Sequence, residues 1–154
     1  MKTKSVFKFI GLILFFTFIF SACAKDEDEP EEETPGTITP PPAKFSWTIN
    51  GGTEIVANET FFVPAYNNIY GKKTGGKELD IILDDLNKGT HNVSPSNSIT
   101  VEYTDGATTY SGKSGSVVIT ENTGVLVSGT FNAIYTAAGA TNTITGTFSS
   151  IPKK

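Results

Sequence analysis

The chain has 154 residues, a formal net charge of −4, one histidine and one cysteine. All 12 of its basic residues are lysine, and with no arginine and no basic surplus a nucleic-acid partner is not expected. One cysteine forms no internal disulfide, and one imidazole cannot fill a zinc site that draws three or four ligands, so neither a disulfide framework nor a metal or other cofactor is expected.

Residues 1–22 read as a secretory signal peptide. Lys2, Lys4 and Lys8 form a basic head, Phe9 to Phe20 form an apolar run of twelve, and Ser21-Ala22 supply small residues before Cys23. At about 1.5 Å per residue the run covers roughly 18 Å of a hydrocarbon layer ~30 Å thick, too short for a spanning helix. The small-small-cysteine ending resembles the lipobox of bacterial lipoproteins, with Phe20 where that family usually has leucine. The resemblance implies a diacylglyceryl group on the Cys23 thiol, cleavage before Cys23 and acylation of the new amine. Two or more acyl chains, at ~0.8 kcal/mol per buried methylene, make such a membrane anchor effectively permanent.

Residues 23–43 form a lipidated cysteine followed by a tether. Between Ala24 and Ala43 stand seven carboxylates, Lys25 and five prolines, a composition that extends by self-repulsion and builds no core. Fully stretched, it reaches roughly 60 Å. The run Lys25-Asp26-Glu27-Asp28-Glu29 resembles the export signal of surface-exposed lipoproteins of the Bacteroidota, which implies an outer-membrane protein displayed on the cell surface. Read as a solvated spacer alone, the same run leaves the domain facing the periplasm.

Residues 44–154 suffice for one domain. Apolar residues recur at every second position: Phe45, Trp47 and Ile49; Leu79, Ile81 and Leu83; Ile99, Val101 and Tyr103; Val125 to Tyr135; Ile144 to Phe148. The intervening polar positions are mostly threonine and serine, which suits a solvated sheet face. Asn50-Gly51-Gly52, Asn87-Lys88-Gly89, Asp105-Gly106 and Asn122-Thr123-Gly124 separate the runs and supply hairpin turn chemistry. The expectation is an all-β fold, an antiparallel meander of about eight to ten short strands forming a β-sandwich or a small barrel.

Val127-Ser128-Gly129-Thr130-Phe131 is echoed by Ile144-Thr145-Gly146-Thr147-Phe148, which predicts consecutive strands whose glycines admit an aromatic ring from a neighbour. With Phe45 to Gly51 at the start of the domain and Gly89-Thr90-His91 midway, this Gly-Thr-Phe ending resembles a family of small surface-lipoprotein domains of the Bacteroidota. The resemblance spans most of Phe45 to Ile151 and implies an all-β fold without implying an activity; His91 stands where that family has an aromatic.

No catalytic constellation emerges. His91 lies near Ser94 and Ser96, but proximity in sequence does not make a triad, and a histidine ahead of Pro95 reads as packed or solvated. Gly112-Lys113-Ser114 lacks the glycine spacing and the following helix of a phosphate loop. Asp85-Leu86-Asn87-Lys88-Gly89, with Asp84 adjacent, places oxygens at alternate positions as calcium loops do, yet without an acidic closer and with a lysine it reads as a hairpin turn. Among Glu54, Glu59, Glu78, Glu102, Glu121 and Asp105 a glycosidase pair would be a matter of separation, which sequence does not give. Trp47 shares register with Phe45 and Ile49 and reads as core. The best binding candidates are Tyr66, Asn67, Asn68 and Tyr70, because tyrosine and asparagine beside a glycine-rich loop make an adaptable contact surface. The expected function is a lipid-anchored, non-enzymatic binding or accessory module for an extracellular or envelope ligand (glycan, peptide or protein). The alternatives are an adhesion protein acting through its sheet edges, and then a hydrolase.

Overall fold

The alternation becomes eleven strands in the computed structural model, which describes residues 39–154: β1 (Lys44–Ile49), β2 (Ile55–Val56), β3 (Glu59–Val63), β4 (Asn68–Lys73), β5 (Lys77–Ile82), β6 (Gly89–Val93), β7 (Thr100–Asp105), β8 (Thr108–Ser111), β9 (Ser114–Asn122), β10 (Leu126–Ala137) and β11 (Ala140–Pro152). They form two antiparallel sheets packed face to face, and neither closes into a barrel. The wide sheet has six strands in the order β2-β1-β11-β10-β9-β6, and the narrow sheet five in the order β3-β4-β5-β7-β8. Of the two architectures the sequence allows, the sandwich is the one formed. Neighbouring strands follow a meander in β3-β4-β5 and β9-β10-β11, and the chain changes sheet after β2, β5, β6 and β8.

The core lies between the sheets and is built from the inward half of each alternating run. Phe45, Trp47, Leu79, Ile81, Val101, Phe131, Ile144 and Phe148 are all buried. Phe45 meets Trp47, Phe131 and Phe148 edge-on, with ring centroids 5.9, 5.8 and 6.0 Å away. The paired motifs explain how so many rings fit. Gly129 is the register partner of Phe148 and Gly146 that of Phe131, so each glycine seats the ring of the other motif. A Cβ on Gly129 would lie 2.5 Å from Phe148 Cζ, and one on Gly146 would lie 2.5 Å from Phe131 Cζ.

Two local expectations are corrected. Asn87-Lys88-Gly89 belongs to a crossover rather than a hairpin: β5 pairs with β4 and β7 in the narrow sheet, whereas β6 pairs with β9 in the wide one. Buried Leu83 and Leu86 draw this segment across the edge of the sandwich, a contact that turn propensity does not encode. Val125 does not share the inward face of Val127 to Tyr135; it precedes β10 and is 62% exposed.

Candidate functional site

The four binding candidates divide into two pairs. Tyr66 ends a 3-10 turn, Pro64–Tyr66, between β3 and β4 and is 74% exposed. Asn67 follows in left-handed backbone, φ 50°, which asparagine tolerates well. Its side-chain amide donates to Asp84 O at 2.6 Å, and its carbonyl accepts from Leu83 N at 3.0 Å, so Asn67 ties two connections together. Asn68 and Tyr70 stand on the outer face of β4, opposite inward Ile69 and Gly71. Asn68 and Tyr70 therefore share a sheet face, while Tyr66 and Asn67 lie at its rim.

Register carries that face across the whole narrow sheet. Phe61 pairs with Tyr70, Tyr70 with Asp80, Asp80 with Glu102 and Glu102 with Ser111, one outward residue from each of β3, β4, β5, β7 and β8. The Phe61 and Tyr70 rings lie 5.0 Å apart at an interplanar tilt of 32°. The Lys154 ammonium sits 4.0 Å above the Phe61 ring centre, within cation–π range. Burial, and then the Glu78 carboxylate that accepts its hydroxyl proton, hold the Tyr70 phenol above its usual range. Lys72 pairs with Glu78 at 2.6 Å and holds that carboxyl low, with Tyr70 assisting.

Asp80 is treated differently. Burial pushes its carboxyl up to about 6, Glu102 and Glu78 add repulsion, and a hydrogen bond from the Asn68 side chain opposes them. One oxygen of each, Asp80 Oδ1 and Asn68 Oδ1, is buried with no partner. Glu102 accepts a bond from Ser111 Oγ at 3.2 Å. Among the described residues no cation pairs with Asp80 or Glu102. Beside them a concavity of about 360 Å³ opens between Glu102, Ser111 and Thr100 on the sheet and Ser94, Pro95 and Asn97 on the β6–β7 loop, with Gly112 and Lys113 completing its wall, although Lys113 makes no ion pair with Glu102. An aromatic step, a carboxylate pair without a counter-ion and an adjoining hollow thus lie in one line.

The only histidine does not meet a serine nucleophile. His91 Nδ1 faces Asp84 Oδ1 at 3.0 Å and Nε2 faces Asn87 O at 3.0 Å, while Ser94 Oγ bonds Ser96 Oγ at 2.8 Å. Burial lowers the imidazole's affinity for a proton, but the Asn87 carbonyl and the Asp84 carboxylate outweigh it and the net shift is upward. The loop that resembles a calcium site in spacing and the lone histidine are brought together, with polar atoms of Asp84, Asp85 and His91 within 4.8 Å of one another. Both ring nitrogens already have partners, so the cluster serves the crossover.

The outer face of the wide sheet has another chemistry. One row runs Ser46, Thr147, Thr130, Val118 and Thr90, and the next runs Thr48, Thr145, Asn132, Ser116 and Asn92, each spanning β1, β11, β10, β9 and β6. Neither row contains a charge. Thr48 and Thr145 hydroxyls bond at 3.0 Å, and Asn132 Oδ1 accepts from Ser116 N at 3.0 Å. Between β1 and β11 the face dips into a concavity of about 340 Å³ lined by Ser46, Thr48, Thr145, Thr147 and Glu54 over the intervening row of Trp47, Gly146 and Phe131. Trp47 is 1% exposed, as its register predicts, and its Nε1 has no hydrogen-bond partner.

Sequence reasoning missed Asp80 and Phe61. Asp80 reads as a polar alternation between Leu79 and Ile81, and Phe61 has no marker beyond its apolarity; only the β3-β4-β5-β7 pairing sets them beside Tyr70 and Glu102. Cys23 and the run Lys25, Asp26, Glu27, Asp28, Glu29 lie outside the described residues. Comparison with protein-family models, curated proteins and solved structures finds no match to this chain.

Proposed function

We propose that this chain is a lipid-anchored envelope protein, held in the outer membrane through Cys23 and displayed on the cell surface by its acidic tether. Its sandwich domain binds a cation-bearing peptide or protein segment on the outer face of the narrow sheet. The observation that supports this most is the neighbouring pair Asp80 and Glu102, which lacks a counter-cation and flanks the Phe61–Tyr70 rings. Two adjacent carboxylates repel each other in partial burial, and a lysine or arginine from a partner relieves that repulsion. The rings supply contact area at low entropic cost and accept the stem or head of the same side chain, as Phe61 already accepts Lys154. The carboxylates stand on an open sheet rather than in a water-excluding cleft, which favours binding over hydrolysis. Sheet-edge adhesion would fall to β6 and β8, since of the four edge strands β2 has only two residues and β3 is taken by Lys153 and Lys154.

Pull-down from outer-membrane extract with the full chain tests the reading. Tyr70→Ala and the double change Asp80→Asn with Glu102→Gln should each deplete the same captured protein at least roughly tenfold, the loss expected of a removed anchor residue. Capture of the same proteins in undiminished amount by both variants, or no capture at all, would overturn it.

A further inference from the structure

Resting on the peptide reading above, we infer that the partner docks as an added strand along the free edge of β8, with its lysine or arginine opposite Ser111. Gly112 N donates to Val101 O at 2.9 Å, which fixes the phase of the β7–β8 ladder. In an antiparallel pair, residues that bond across the ladder alternate with residues whose backbone groups point away from it. Tyr103 with Tyr110 and Asp105 with Thr108 therefore share the bonds, and Thr109 and Ser111 turn their N–H and C=O groups out of the sheet. Among the described residues nothing bonds to those four groups. β8 carries no charge and no proline, the usual guards of an open edge, and Thr108, Thr109 and Ser111 are exposed. The other edges are less open: β2 is two residues long, β3 is covered by Lys153 and Lys154, and on β6 the Asn92 carbonyl is taken by Asn97 Nδ2 at 2.9 Å.

Charge selects what such a strand carries. Ser111 ends the outward row of Phe61, Tyr70, Asp80 and Glu102, and an added strand sets its next residue in that row. That residue stands two strand spacings, roughly 10 Å, from Glu102, a gap that a long basic side chain and the glutamate close between them. Lys113 on the wall of the adjoining hollow repels a cation there and so confines it to the Ser111 row. The acidic run of this chain from Asp26 to Glu33 would bring carboxylates to Glu102 and is not the occupant. A second copy of β8 would offer only threonine, tyrosine and serine opposite Ser111, which leaves Glu102 without a counter-ion. The fitting partner is a foreign extended segment that combines main-chain pairing with one basic residue.

The test presents the full chain with a synthetic library of octapeptides holding one fixed lysine, and with the same library holding glutamate there. Ligands are expected from the lysine library alone. With the tightest of them bound, amide hydrogen exchange at Thr109 and Ser111 should slow at least tenfold, and methylating the peptide's amides along one edge should weaken binding at least tenfold while the other edge tolerates it. Thr109→Pro removes one free N–H without touching a bond to β7, so it should weaken binding by as much at an unchanged urea midpoint. Glu102→Gln should weaken it too. Lysine peptides that depend on Glu102 yet leave both amides unprotected would overturn the edge and spare the sheet-face reading; no lysine peptide bound would overturn both. Self-association in sedimentation velocity that Thr109→Pro abolishes, with no peptide protecting the edge, would assign β8 to a second copy of the chain and overturn the inference as well.

Discussion

Gly146 and Asp80 are the two positions where a single side chain has the clearest consequence. A methyl at Gly146 would meet the Phe131 ring and the Ser46 carbonyl, inside the interlock of the two repeated motifs. Overpacking of that kind typically costs 1–3 kcal/mol, so Gly146→Ala should lower stability by ~2 kcal/mol in urea unfolding. Asp80 makes the opposite prediction. Its folded-state carboxyl is raised to about 6 from an ordinary 3.8, so the folded state holds the proton more tightly than the unfolded chain does. The resulting penalty is absent below about 4, grows as pH rises toward 6 and is complete above it. Asp80→Asn should therefore stabilise the protein at pH 7.5 by ~1 kcal/mol, a figure already reduced for the side chain's partial exposure to solvent, and the gain should vanish by about pH 4. A variant no more stable than the parent at pH 7.5 would show that Asp80 carries no such strain. The glycines were legible in the sequence because two copies of one motif implied a shared reason. Asp80 was not, since its neighbours come from β4 and β7, at register positions that no local pattern specifies.

Among the elements, the crossover from β5 to β6 is held by a small polar assembly around His91. Asp84 and the Asn87 carbonyl take its two nitrogens, Asn67 donates to Asp84 O, and Asn122 Nδ2 donates to Leu86 O at 2.8 Å. Satisfying both nitrogens with acceptors requires the imidazolium, which agrees with the raised proton affinity. A histidine raised in the folded state contributes its full stabilisation below the unfolded value near 6.5 and loses it as pH climbs through the folded value. The urea midpoint of the parent should thus exceed that of His91→Gln by more at pH 5.5 than at pH 8; an equal gap at both would refute a charged latch. Strand identities were readable from the period-two runs at β1, β5, β7, β10 and β11. The crossover was not: Asn87-Lys88-Gly89 has the composition of a hairpin turn, and only burial of Leu83 and Leu86 decides that the chain leaves its sheet.

For the molecule as a whole, the two sheets turn different chemistries outward, one carboxylate-rich with aromatic rings and one hydroxylated along its central rows. That division was half visible, since the threonine-rich polar faces of β10 and β11 stand out in the sequence while their alignment into rows depends on pairing. The proposed membrane attachment belongs to this scale too. Cys23→Ser should shift the protein from the membrane fraction to the soluble fraction and abolish labelling by radioactive palmitate, and retention in the membrane fraction would refute lipidation as the anchor. The placement of β1 has a mechanical consequence. Lys44 opens β1, which is bonded to β11 from Lys44 through Ile49 and to β2 on its other side. Tension arriving through the preceding chain pulls β1 lengthwise and loads those backbone bonds together in shear, instead of peeling them off one by one. Under the proposed anchoring through Cys23, drag on a bound cell would be borne along the tougher direction of the sandwich.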